Sequence, residues 1–152
     1  MEQNKKTILK IFEENEKDIS RLYRIYSQKI QGHKKFWEEL SREEVGHSLE
    51  IARIGQDKKI GLIEENSFSR GIVKYVSDFV VEQTEIAKKQ KISHLNAINT
   101  ALRIEQSMLE KKCFEIFIPA QKKLKDVLEK LNRETEKHVG LLRKELKKYS
   151  QK

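Results

Sequence analysis

Apolar residues recur at every third or fourth position through most of the chain, and a single proline, Pro119, interrupts them. Since 3.6 residues complete a helical turn, a stripe with this period is the buried face of an α-helix. The first stripe reads Ile8, Phe12, Glu16, Ile19, Tyr23, Tyr26 and Ile30, and Gly32 follows where a helix-ending glycine would stand. The second reads Phe36, Trp37, Leu40, Glu44, His47, Ile51 and Ile54, up to Gly55. Together they predict an antiparallel hairpin. Residues 56–68 read as a loop, and Ile72, Val73, Tyr75, Val76, Phe79 and Val80 predict a short extra helix to about Lys89 within a long crossover. Ser93 is a candidate N-cap for a third long helix bearing Ile98, Leu102, Glu105, Leu109, Phe114 and Phe117. Pro119 suits the first turn of a fourth, whose stripe is Leu124, Leu128, Leu131, Thr135, His138, Leu142 and Leu146. Two antiparallel hairpins joined by one long crossover describe an all-α four-helix bundle.

The chain has 152 residues, so a single domain over 1–152 is expected. No apolar run is long enough to predict a membrane span, and Met1–Lys10 lacks the apolar core of a signal peptide, so a cytoplasmic protein is expected. The lone cysteine, Cys113, can make no internal disulfide and no four-cysteine metal site, and is expected as a small buried residue. Net charge is +8, which invites a nucleic-acid reading. Most of the surplus sits between Gln121 and Lys152, where eleven Lys and Arg face five Asp and Glu. Cations there suit the C-terminal end of a helix, and base stacking would need aromatics interleaved along the run, so nucleic acid is not an expected partner.

The informative residues interrupt the stripes. Glu16, Glu44, His47, Glu105 and His138 stand where Leu or Ile would pack better, and a buried carboxylate without compensation costs several kcal/mol, of order 2–7. In a helical hairpin, residues equidistant from the turn face each other. Glu16 and Glu44 are equidistant from residue 30, and Glu105 and position 135 from residue 120, so all four lie about 21 Å from their turns. Glu44-Val45-Gly46-His47 is Glu-x-x-His, which aims a carboxylate and an imidazole from one helical face. Carboxylate and imidazole ligands suit iron or manganese, with zinc also admissible. His33 follows a turn and His94 follows a cap, so both are expected in solvent.

With these residues in this order, the chain resembles the rubrerythrin branch of the ferritin-like superfamily over nearly its whole length. That family's pattern is a Glu on the first helix, Glu-x-x-His on the second, Glu on the third and Glu-x-x-His on the fourth, holding a di-iron or related dimetal centre. Glu16 matches the first, with Tyr23 seven residues on as a candidate second layer. Glu44 and His47 match the second, within Phe36-Trp37-Glu38-Glu39-Leu40-Ser41-Arg42-Glu43-Glu44, and Glu105 in Ala101-Leu102-Arg103-Ile104-Glu105 matches the third. His138 matches the last histidine. Two positions depart from the pattern: Thr135 stands where the fourth helix should bring its Glu, and Met108 where an additional carboxylate follows the third. Glu134, one turn before His138, is the substitute at hand.

The resemblance implies a non-haem metal protein, iron first, with one or two ions, that reduces hydrogen peroxide or dioxygen. Without C-x-x-C pairs there is no rubredoxin domain, so an external electron donor is implied, and a homodimer is common among similar proteins. A scaffold or binding bundle without catalysis is the alternative, and it expects Glu16 and Glu105 to pair with Lys or Arg, or to point to water, rather than converge. Locally, Ser41-Arg42-Glu43-Glu44 also fits a capping box, Tyr23 and Tyr26 fit packing with tethered hydroxyls, and Gly46 and Gly140 fit close helix approach or room around a metal.

Overall fold

The structure, a computed structural model, describes residues 8–56, 67–110 and 122–150. Five helices and no strands occur among them: α1 (Ile8–Lys29), α2 (Lys34–Gln56), α3 (Ser67–Lys89), α4 (His94–Glu110) and α5 (Lys122–Ser150). Cys113, Phe114, Phe117 and Pro119 lie outside the described residues, as does most of the 56–68 loop.

Gly32 ends the first stripe by the expected device. Its φ of +84° is a left-handed conformation that only glycine adopts without strain, and it turns the chain from α1 into α2. Ser93 caps α4, its Oγ accepting from the Asn96 backbone N–H at 3.0 Å. The capping-box reading of Ser41 is excluded, because α2 is already two turns old there and Ser41 Oγ instead donates to the Ser20 carbonyl of α1 at 2.9 Å. The crossover helix is longer than the short extra element expected, since α3 has 23 residues, as many as α2.

The stripes do bury. Phe12, Ile19, Leu22, Tyr23 and Tyr26 of α1 meet Trp37, Leu40 and Ile51 of α2, and Ile98, Ile104, Leu131 and Leu142 extend the same core from α4 and α5. Each such side chain contributes about 1.5–3 kcal/mol by leaving water. Alanines at 87, 97 and 101 let α3 and α4 approach the core closely.

Contacts at one end set the directions. Lys29 at the end of α1 donates to the carbonyls of Ala87, Lys88 and Gln90 at the end of α3. His94 at the start of α4 touches Trp37 near the start of α2 and Glu145 near the end of α5. Thus α1, α3 and α5 run toward this end, and α2 and α4 run away from it. α1 packs chiefly on α2 and α3, and α4 on α5, while α2 and α5 meet more sparsely and leave a cleft between them.

Candidate metal centre

The five interrupting residues are all buried: Glu16, Glu44 and Glu105 expose 1% or less, His47 3% and His138 2%. They come from four helices and form two groups, Glu16 with Glu44 and His47, and Glu44 with Glu105 and His138, with ligand atoms in each group within 4.8 Å of one another. Glu44 belongs to both. Its Oε2 lies 3.5 Å from His47 Nδ1, and its Oε1 lies 3.0 Å from His138 Nδ1. His138 Nδ1 is also 3.4 Å from Glu105 Oε1.

Those separations match the spacing of ligand atoms around one ion. Two ligand atoms each about 2.1 Å from one ion stand about 3.0 Å apart at octahedral angles and about 3.4 Å apart at tetrahedral ones. Moreover, neither Nδ1 completes a hydrogen bond within the described residues, although carboxylates lie this close, because the oxygens are off the line a hydrogen bond needs. Three carboxylates and two inward imidazole nitrogens therefore fit one or two divalent ions of the iron or manganese type.

The outward ring nitrogens are tethered. His47 Nε2 pairs with Glu134 Oε1 at 2.9 Å and His138 Nε2 with Glu43 Oε1 at 2.6 Å. Each tether crosses between α2 and α5, and each carboxylate sits four residues before the histidine of its own helix while pairing with the histidine of the other. A carboxylate on one imidazole nitrogen places the proton there and leaves the other nitrogen's lone pair for a metal. Glu134 thus holds the back of His47 rather than standing at the Thr135 position. Thr135 is itself buried, its hydroxyl donating to the Leu131 carbonyl at 3.0 Å, and Met108 is ordinary core. Tyr23 donates to Glu105 Oε1 at 3.0 Å. Burial first, then the Glu105 and Glu44 charges, push its hydroxyl well above 10, so it stays a donor.

Electrostatics within the cluster sort its protons. Burial raises Glu44, but the adjacent Glu16 carboxyl and the His138 and His47 imidazoles outweigh it and hold Glu44 well below the usual range. Glu105 moves the other way, raised by burial and by the neighbouring Glu44 charge. His138 rises despite burial because Glu105 and Glu44 flank it, and His47 rises with Glu44 as its main partner. Without ions the cluster holds protons where cations would otherwise supply positive charge.

The glycines do not serve close helix approach. Nothing lies within 4 Å of the Cβ that Gly46 or Gly140 lacks, and Gly46 instead lines the α2–α5 cleft with Glu43, His47, Glu50, Glu134 and Lys137, a volume of about 420 Å³ leading to the back of His47.

His94 is a correction to the expectation of a solvated side chain, for it is 9% exposed and stacked flat on His33, ring centroids 3.5 Å apart. His33, half-buried, His94 and Glu145 bring ligand atoms together as a third group. Its chemistry argues against a metal. Trp37 Nε1, a donor only, gives its hydrogen to His94 Nδ1 at 3.1 Å, so the ring's proton sits on Nε2, which meets Glu145 Oε2 at 2.9 Å. Burial lowers the His94 pKa below 6.5, against the opposing pull of Glu145. A depressed histidine contributes stability that is present above its unfolded pKa of about 6.5 and lost as pH falls through the folded value. The stability advantage of wild type over His94→Gln is therefore expected to shrink between pH 7.5 and 5, measured by urea unfolding; an advantage that grows on acidification would reverse the sign.

No protein-family model matches the chain, and no curated protein and no solved structure matches it.

Proposed function

We propose that this chain is a ferritin-like, rubrerythrin-related protein that holds two non-haem metal ions, iron first, and reduces hydrogen peroxide or dioxygen with electrons from an external donor. The observation that carries the reading is Glu44, a single buried carboxylate offering one oxygen to each of two histidines on two different helices. Glu16 and His47 would complete one position, and Glu105 and His138 the other. Iron held there would supply electrons to a peroxide or dioxygen.

The chain's own groups do the rest. Tyr23 fixes the Glu105 carboxylate by donating to Oε1, and Glu134 and Glu43 fix the imidazoles from behind. Thr135, uncharged and tied to its own backbone, leaves the α5 side of the centre without a carboxylate and so favours room for a small oxidant. The α2–α5 cleft supplies access, and its carboxylates attract cations.

The scaffold alternative has Thr135 as its best support. It expects Glu16 and Glu105 to pair with Lys or Arg or to point to water, whereas both are buried and Glu105 meets an imidazole and a tyrosine hydroxyl. Anaerobic titration with Fe(II) tests the proposal: about two ions per chain are expected, with protons released in unbuffered solution because the raised Glu105 and His138 must give theirs up. Equal, negligible uptake by wild type and by a Glu16→Ala, Glu105→Ala double variant would end it.

A further inference from the structure

Trp37 and His94 are links in a longer line of aromatic groups. Tyr23, which donates to Glu105, has its ring centroid 5.5 Å from that of Trp37. Trp37 donates to His94, His94 lies flat on His33, and both imidazoles meet the Tyr149 ring edge-on at 5.0 Å. Tyr23 and Trp37 are wholly buried, while His33 and Tyr149 are partly exposed. A line of π systems thus runs from the Glu105 carboxylate to the end of the helices where α1, α3 and α5 finish.

That end is strongly basic. Lys34 and Lys35 open α2, Lys88 and Lys89 close α3, and Lys147 and Lys148 close α5, all exposed. Glu38, Glu39, Glu85 and Glu145 offset part of this charge. Helix dipoles do not absorb the remainder, because three C-terminal and two N-terminal ends sum to only about half a negative charge. A groove of about 520 Å³ opens in the same place, with Phe36 and Leu141 as its apolar lining and Lys144, Lys147 and Lys148 around it. Phe36 packs edge-on against Trp37, with centroids 5.1 Å apart, so the groove abuts the aromatic line.

We infer that this basic end is the docking surface of a small acidic one-electron carrier protein, and that Trp37 and Tyr23 are the route its electrons take toward Glu105. The inference rests on the dimetal reading above. Each encounter oxidises one reduced carrier by one electron, and the carrier leaves. Two encounters, with two hydrogen ions taken up from solution, convert one hydrogen peroxide to two water molecules, and no residue of the route is consumed. A nucleic acid would match the charge but would leave both the apolar groove and the aromatic line without a purpose.

The test uses flavodoxin, an acidic flavin protein, as the carrier. On metal-free protein, binding at low salt that weakens as salt rises is expected, with a loss of about tenfold or more in a Lys147→Glu, Lys148→Glu variant. Absence of binding, indifference to charge reversal, or equally tight binding of duplex DNA would overturn the docking surface. On iron-loaded protein, reoxidation of saturating reduced flavodoxin, followed by stopped-flow absorbance, is expected to slow about tenfold in Trp37→Leu with carrier affinity unchanged. His94→Leu, at the periphery of the core, provides the same reading if Trp37→Leu does not fold. Unchanged transfer in the folded variant would overturn the route. Since docking is measured without metal, its failure is a separate result from failure of the iron titration.

Discussion

Glu44→Ala is expected to abolish binding of both ions together, whereas Glu16→Ala and Glu105→Ala each weaken one. Among the described residues Glu44 alone belongs to both groups, so its removal takes a ligand from two positions at once. Outer partners of metal ligands already cost 10–100-fold in affinity when removed, which sets a floor of about 100-fold for this carboxylate. Glu43→Ala and Glu134→Ala, acting only through the backs of His138 and His47, are expected within that 10–100-fold range. Isothermal titration with Mn(II), which avoids oxidation during the measurement, separates these classes. Stability of the metal-free protein gives an independent reading. Glu44 is a counterion of His138 and His47, and leaving a buried charge without its partner costs about 3–5 kcal/mol unless the group neutralises. The variant's His138 is therefore expected to titrate lower than the wild type's, visible in the imidazole NMR shifts.

Thr135→Glu should separate the needs of stability from those of metal binding. Thr135 precedes His138 by the same three residues that separate Glu44 from His47, and it is 1% exposed. A glutamate there adds another buried acid to a cluster in which Glu105 is already raised by its neighbours. Without ions, a loss of several kcal/mol is expected, about 2–4, which in a chain of this size lowers the melting temperature by roughly 4–16 °C. With ions the added carboxylate becomes a ligand, and the metal-induced rise in melting temperature should exceed that of wild type. Equal destabilisation with and without Mn(II) would mean that position 135 does not face the ions. Peroxide turnover is expected to fall in the loaded variant, because the added carboxylate would compete with the oxidant for the ions.

Much of this was legible in the sequence because helical periodicity reports burial directly. The stripes marked Glu16, Glu44, His47, Glu105 and His138 as interruptions, and hairpin symmetry placed them at one level; the structure buries all five together. Gly32 and Ser93 were legible because a left-handed turn and an N-cap each require a particular side chain. The tether from Glu43 to His138 was not, since it depends on how α2 and α5 are rotated about their axes, and no local pattern encodes that rotation. Glu134 was noticed for its spacing from His138, yet it serves His47 on the other helix for the same reason. His94 was misplaced in solvent because its position after a cap describes only its own helix, while burial comes from Trp37 and Tyr149 on other helices and from His33 in the turn before α2. The full length of α3 was missed because Ser67-Phe68-Ser69-Arg70-Gly71 carries turn-forming residues and no apolar stripe.

The central claim is that Glu44 bridges two ions, and a crystal of protein grown anaerobically with Fe(II) tests it most directly by anomalous scattering on both sides of the iron edge. Two peaks are expected, one within about 2.0–2.3 Å of a Glu44 oxygen and His47 Nδ1, the other equally close to the second Glu44 oxygen and His138 Nδ1. Density free of anomalous signal, with His138 still lodged between Glu44 and Glu105, would contradict it.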